Sequence, residues 1–453
     1  MKPIPFASGA PVLGKLPEFR RDQLAFLTSL AHDYGAIVGF RFLYLNSFLI
    51  SSPEYIHQVL VEQADKFEKA DLDHKIFDAF LGKGLINSEG DFHRRQRRLM
   101  QPAFHSKRIN TYAEVMVRYA QQMVSEWQGD LVTDGQVDIH EAMSTLTRRI
   151  VLKTLFDTDE SPETEQIAAS VETLNHLSED SYKRGFTFPQ WLPVPAVRKS
   201  RTAVAEVDKL ILGIIEQRRK SGSDQGDLLS MLLLAQDEDD GGQMTDRQVR
   251  DEAVTLFLAG HETTANTLAW TFYLLAKHPE VEAKLVAELD RVLAGRKPTL
   301  QDLGQLTYTD WIIKEAMRLY PPAWALNIRT PQVDVEIDGY TIPRGSSVFI
   351  SPYVMHHDAR YFADPEAFKP ERWANDFEKT LPRYAYFPFG GGPRVCIGNS
   401  FALMEARLIL ANIAQQVEMT VTDTVVPEPL ITLRPRGEIR ATIKPRVKAA
   451  LAN

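Results

Sequence analysis

Phe389-Gly390-Gly391-Gly392-Pro393-Arg394-Val395-Cys396-Ile397-Gly398 is the stretch on which the fold turns, because it holds the sole cysteine of a 453-residue chain. A lone cysteine forms no internal disulfide, and its bland reading is a small buried hydrophobe. The surroundings argue for a thiolate ligand instead. Three consecutive glycines let the backbone approach a flat partner, Arg394 places a cation two residues from the sulfur, and a helix beginning just beyond offers unpaired N–H groups.

Composition sets the frame around that loop. With 44% apolar and 25% charged residues, the chain is ordinary globular material, large enough to enclose a cofactor cavity. A net charge of -8 argues against a general nucleic-acid binder. The opening Met1-Lys2-Pro3-Ile4-Pro5 lacks the basic region and apolar run of a signal peptide, and the longest apolar runs fall well short of the ~20 residues that span a bilayer. The expectation is a soluble cytoplasmic protein with no transmembrane anchor, in a compartment that keeps its thiol reduced. No internal repeat or low-complexity tract is present.

Upstream of the loop the pattern is mainly helical. Thr245-Asp246-Arg247-Gln248 has capping-box spacing and opens a helix that runs to about Lys277, ~50 Å long at ~1.5 Å per residue. Inside it stands Ala259-Gly260-His261-Glu262-Thr263-Thr264, whose glycine and threonines weaken a buried helix. That local conflict marks function. A zinc peptidase is excluded, because His-Glu-x-x-His would need histidine where Ala265 stands. Further helices are expected over residues 106 to 235, with Val204, Val207, Ile211 and Ile215 on one stripe, over 279 to 293, over the stretch ending at Pro321-Pro322, and over 399 to 415.

Strands are few. Val38 to Phe42 and Ser47 to Ile50 flank Asn46 as a hairpin, and Ser52-Pro53-Glu54 starts a helix reaching about Glu62. Short strands follow over 333 to 348, with a last hairpin of 431–433 and 439–443 around Arg434 to Glu438. Residues 66 to 88 read as a loop, and Phe186 to Pro195 as a proline-broken connection. The latter is either a hydrophobic lid or membrane contact, or a loop tucked onto the core. The basic run His93-Arg94-Arg95-Gln96-Arg97-Arg98 reads by itself as a solvated helix face, and Glu315 with Arg318 as a surface ion pair. Adjacent His356 and His357 suit surface or hydrogen-bonding roles better than a metal site.

The spacing Phe-x-x-Gly-x-Arg-x-Cys-x-Gly, matched by Phe389, Gly392, Arg394, Cys396 and Gly398, resembles the cytochrome P450 superfamily of haem-thiolate monooxygenases, soluble bacterial type. Four further motifs resemble that family in its order: His93 with Arg97, Ala259 to Thr264, Glu315 with Arg318, and Phe368 to Arg372. The resemblance implies a mainly α fold with smaller β-sheets and haem b (iron protoporphyrin IX) between the long central helix and the cysteine loop. It implies one domain over 1–453, β-rich at about 30–60, 328–352 and 425–445. Cys396 becomes the axial ligand of the haem iron; Phe389 packs on the haem; His93, Arg97, Arg329 and Arg394 address its propionates. Glu262 and Thr263 become the catalytic acid–alcohol pair that relays protons, and Glu315, Arg318 and Arg372 a triad fixing the cysteine loop. Phe77, Phe80, Leu81 and Leu85 are candidates either for substrate contact or, equally, for ordinary core packing; Ala323, Trp324, Ala325 and Leu326 are expected to face the substrate cavity, and the tip of the last hairpin to touch substrate. Arg94, Arg95 and Arg98 would steer an acidic electron donor.

The implied reaction inserts one oxygen atom of O2 into a lipophilic substrate, such as a fatty acid or terpenoid. Two electrons come from a separate ferredoxin or flavodoxin with its reductase, since no flavin or iron–sulfur domain is visible before Asn453. The alternatives are a peroxide-driven hydroxylase, whose pattern departs from the acid–alcohol pair, and a haem-thiolate binding or sensing protein without turnover.

Overall fold

The computed structural model describes residues 2–129, 135–159, 161–222, 224–237 and 241–446. The central helix, Asp246–Lys277, is capped as its sequence predicts: the Thr245 hydroxyl accepts from the Gln248 N–H while the Gln248 side chain accepts from the Thr245 N–H. It is buried on both sides of a half-open window at residues 259–263. Helix Ile139–Phe156 packs across it there. A Cβ on Gly260 would stand 3.1 Å from Val151, so the glycine admits the neighbouring helix. Helices Pro162–Arg184 and Pro195–Ser221 lie to one side, and helix Asn399–Ala414 passes on the other.

Sheet content gathers where β-branched and aromatic residues alternate. Strands Ile37–Phe42 and Leu45–Ile50 pair antiparallel, turning at Leu43-Tyr44 rather than at Asn46; Leu43 takes a left-handed φ of 53°. Ser347–Ile350 joins in parallel, and Arg329–Pro331 with Phe67–Lys69 completes five strands. Lys69 and Arg329 are direct cross-strand partners, so two cations share one end of this sheet.

The structure overturns several expectations. Residues 71–81 form a helix rather than loop, because Ile76, Phe77, Phe80 and Leu81 make one apolar face that is buried in the main core. Phe77, Phe80 and Leu81 are therefore core residues, and Leu85 alone of the four reaches the cavity described below. The two final strands are not one hairpin. Leu433–Pro435 pairs with Pro427–Pro429, whereas Arg440–Pro445 pairs with Gln136–Asp138 and Val417–Thr420. Separate cores claim them: Leu433 packs with the N-terminal sheet, and Ile439 and Ala441 with the helical body. In the 186–195 connection, Phe186 and Trp191 stay exposed, while Phe188 is partly buried beside the Arg184 guanidinium. Among the described residues no helix is long and apolar enough to cross a membrane.

His356 and His357 are buried, not superficial. His356 Nε2 accepts from the Phe387 N–H at 3.0 Å, and His357 Nδ1 donates to the Tyr353 carbonyl at 2.8 Å. Burial depresses both, His357 to about 4 and His356 well below the usual histidine range. A base whose folded pKa lies below its unfolded value of ~6.5 stabilises the fold above that pH, and this stability drains as pH falls toward the folded pKa. Acidification from about pH 6.5 to 4 should therefore lower the melting temperature, and His357→Gln should flatten the slope by about one proton. An unchanged slope in the variant would refute the assignment.

Candidate functional site

A cavity of about 330 Å³ separates the central helix from the cysteine loop. Cys396 opens onto it from one side; Ala259, Gly260 and Thr263 face it from the helix window. The loop is shaped by its own chain. Cys396 N–H donates to the Phe389 carbonyl at 2.9 Å, and Arg97 Nη1 donates to the Val395 carbonyl at 2.8 Å. At Gly392, φ is 64° and a Cβ would collide with the Leu60 carbonyl, so glycine is required there by the neighbouring chain rather than by a flat partner. Phe389 lines the cavity beside the sulfur.

Burial raises the Cys396 thiol above its usual pKa, and the Gly398 N–H and Arg97 pull it back down. The cation acting on the sulfur is thus Arg97, from helix Gly90–Met100, and not the adjacent Arg394. Arg394 instead pairs with Glu89 and donates to the Ser88 carbonyl at 2.6 Å.

Along one rim stand His93, Arg97, Arg329, Arg394 and Lys69. Burial, then Arg394, Lys69 and Arg97, hold His93 down at about 3, so it is a neutral hydrogen-bonding group here. Burial and then Arg394 lower Lys69 to about 8; burial lowers Arg394 to about 10. Glu89 is paired to Lys69 at 2.8 Å and to Arg394, which leaves this rim with an excess of positive charge. Like charges opposed across strands, as Lys69 and Arg329 are, destabilise a sheet unless an anion lies between them. A largely apolar cavity with one thiol and a cationic edge fits a haem with its two carboxylates.

On the other wall, Thr263 Oγ1 donates back to the Ala259 carbonyl at 2.9 Å. Its neighbour Glu262 does not line the cavity. The Glu262 carboxylate accepts from Asn175 Nδ2 at 2.9 Å and from the Thr432 hydroxyl at 2.5 Å. His261 turns away, with Nδ1 donating to the Phe257 carbonyl at 2.8 Å. Ala323 and Leu326 line the cavity, but Trp324 and Ala325 do not, because the Trp324 indole N–H donates at 2.8 Å to the Leu430 carbonyl in another core. Nor do Arg434 to Glu438, the expected hairpin tip, line it, although Thr432 just before them reaches Glu262.

Glu315 and Arg318 are fully buried, not superficial. The Glu315 carboxylate accepts from Arg318 at 2.8 and 2.9 Å, from Trp373 at 3.0 Å and from Arg372 at 3.3 Å. Three arginines expected to steer a partner are already engaged: Arg94 with Asp91, and Arg95 and Arg98 with Asp237 at 2.7 Å. Lys69, Asn175 and Thr432 escaped the sequence reading. Their contacts join distant segments, with Asn175 87 residues and Thr432 170 residues from Glu262.

A mainly helical body with a thiol and a hydroxyl-bearing helix window facing across one cavity defines the haem-thiolate class of oxygenase. Residues 4–443 match the family model Cytochrome P450. Similar curated proteins are cyclooctatin synthase of Streptomyces melanosporofaciens, 39% identical over 96% of this chain and 93% of the relative, and cyclooctat-9-en-7-ol 5-monooxygenase of the same organism, 38% identical over 90% and 87%. Pentalenene oxygenase of Streptomyces avermitilis is 35% identical over 92% and 91%. The chain belongs to the cytochrome P450 family. It is a haem-thiolate monooxygenase of lipophilic molecules, using O2 and electrons from a redox partner.

Proposed function

We propose that this protein hydroxylates a polycyclic terpenoid on haem b held by Cys396. The observation that carries the reading is the opposition of Cys396 and Thr263 across one cavity whose remaining wall is largely apolar, with Leu85, Val151, Leu155 and Leu256 on it. Two of the named relatives are a monooxygenase of cyclooctat-9-en-7-ol and an oxygenase of pentalenene, and an apolar wall suits such carbon skeletons. The bound haem supplies oxygen activation, which thiolate ligation favours by donating electron density toward O–O cleavage.

Every other task falls to the chain. Cys396 anchors the ligand side, with Arg97 stabilising negative charge on the sulfur. Arg97, Arg329, Arg394, His93 and Lys69 bind the two carboxylates, His93 as a neutral donor, and Phe389 packs against the macrocycle. Thr263 holds a hydroxyl proton at the cavity wall. Glu262 takes up protons at the Asn175–Thr432 site and passes them toward Thr263 on leaving those two partners. A ferredoxin or flavodoxin with its reductase supplies the electrons, and the chain works as one cytoplasmic domain over 1–453.

Titration with cyclic terpenes, alongside fatty acids, should produce a spin-state shift of the Soret band for the terpenes; a shift with fatty acids alone would refute the substrate class. Thr263→Ala should lower product formed per electron pair by roughly tenfold, about the effect of losing one hydrogen bond to a charged centre. Thr263→Ser should retain it. Full coupling in Thr263→Ala would remove Thr263 from the proton path.

A further inference from the structure

Consecutive acids on the central helix, Asp251 and Glu252, are buried, and each receives a main-chain N–H from the segment that follows helix Asp71–Leu81. The Asp251 carboxylate accepts from the Lys83 N–H at 3.0 Å and the Glu252 carboxyl from the Leu85 N–H at 2.9 Å. Residues 83 and 85 lie outside any helix or strand, so these N–H groups have no ladder to join and need the two acids. Gln96 Nε2 donates to the other Glu252 oxygen at 3.1 Å, which holds the acid in one orientation and ties it to the helix of His93 and Arg97. Two glycines let the segment lie this close: a Cβ at Gly84 would collide with Thr255 Oγ1 and the Asp251 carbonyl, and one at Gly82 with the Asp251 carboxylate. Leu85 and Ile86, next along, line the cavity, as do Thr255 and Leu256, one helical turn beyond the acids.

We propose that Asp251 and Glu252 form a clamp that sets how far the 82–86 wall reaches into the cavity, with Leu85 the specificity-determining residue and Glu252 the positioning residue behind it. Glu252 does not line the cavity, so it acts on bound molecules only through Leu85. A buried N–H without an acceptor is costly; loss of Glu252 therefore drives residues 84–86 off the helix toward new partners, and the Leu85 side chain moves with them. The inference rests on the haem-bearing cavity proposed above, but not on the terpenoid class of its substrate.

The test uses the haem-loaded protein and two iron-binding probes, imidazole and 4-phenylimidazole, titrated by the shift of the Soret band. Both need the iron, but only the phenyl ring extends to the walls. Glu252→Leu should weaken 4-phenylimidazole by roughly tenfold, about the cost of one buried N–H left without its acceptor, and imidazole by less than about twofold. Glu252→Gln should stay within about threefold for both, since its amide oxygen can accept from Leu85 and its amide N–H can donate to Gln96 Oε1, which is buried without a partner. Leu85→Ala should show the same selective loss, and Glu252→Leu with Leu85→Ala no more than the worse single, as for two residues acting through one contact. Equal losses for the two azoles, additive losses, or a Gln variant as weak as Leu overturn the proposal. If Glu252→Leu does not fold, Gly84→Ala, which pushes on the same wall and leaves both acids in place, should reproduce the selective loss; wild-type affinity for both probes there overturns it. Azole binding is independent of substrate class, so a failed terpene titration with this selectivity intact refutes the terpenoid reading alone.

Discussion

Cys396→Ala should fold, lose the haem-thiolate absorption spectrum and fall in monooxygenase activity by roughly three orders of magnitude or more. Folding should survive because the loop is held by main-chain groups and by other side chains: the bond from residue 396 N–H to the Phe389 carbonyl, the Arg97 bond to Val395, and the packing of Gly392 on Leu60 all remain. The spectrum should go because the cavity offers no second thiol, Cys396 being the chain's sole cysteine. Cys396→Ser should behave similarly, as an alcohol gives up its proton far less readily than a thiol. Circular dichroism and the carbon monoxide difference spectrum of the reduced protein read the two effects separately. Retention of the thiolate spectrum by Cys396→Ala would exclude this sulfur as the ligand.

Arg318→Leu should cost about 3–5 kcal/mol, the penalty for leaving one member of a buried ion pair without its partner. Both side chains of the pair are fully buried, and Arg318 makes more than that pair. Its fork also donates to the carbonyls of His356 at 2.9 Å, Pro365 at 2.6 Å and Ala367 at 3.1 Å, which pins the segment before the cysteine loop. A loss of that size consumes much of the ~5–15 kcal/mol by which a domain is stable. The midpoint of urea unfolding should fall sharply, with poor cofactor retention. Arg318→Lys should rescue little, since one ammonium cannot replace a planar fork. Arg372→Ala should be milder, because its bond to Glu315 is longer, at 3.3 Å, and its other contacts lie near the surface. An unchanged midpoint in Arg318→Leu would show that the triad contributes little to the fold.

Steering by surface arginines deserves less weight after the structure. Asp237 engages both Arg95 and Arg98, and Asp91 engages Arg94, so the basic run is partly neutralised within the chain. The excess of positive charge lies inward, at the cavity rim, where Lys69 shares Glu89 with Arg394 and stands opposite Arg329 across two strands.

Local rules were enough for the central helix, whose cap, length and weakened middle follow from neighbouring residues, and for the cysteine loop, whose spacing is a short-range signature. They failed at 71–81, where Asp71, Asp73 and Asp78, with Gly82 and Gly84 just beyond, masked a sound apolar face, and at the chain's last strands, where partners came from residues 136–138 and 417–420. Helical period and capping act over a few residues; strand pairing depends on which core claims each segment.

The sequence by itself marked Cys396, the helix window opposite it and the Glu315–Arg318 pair, since each lies within ten residues or fewer; Arg372 joins that pair from a distant segment. Only the tertiary structure decided their surroundings. It brought Lys69 into the cationic rim and turned Glu262 away from the cavity toward Asn175 and Thr432. The physical reason is burial. Desolvation and charge pairing depend on what other segments enclose a side chain, and no local pattern carries that information.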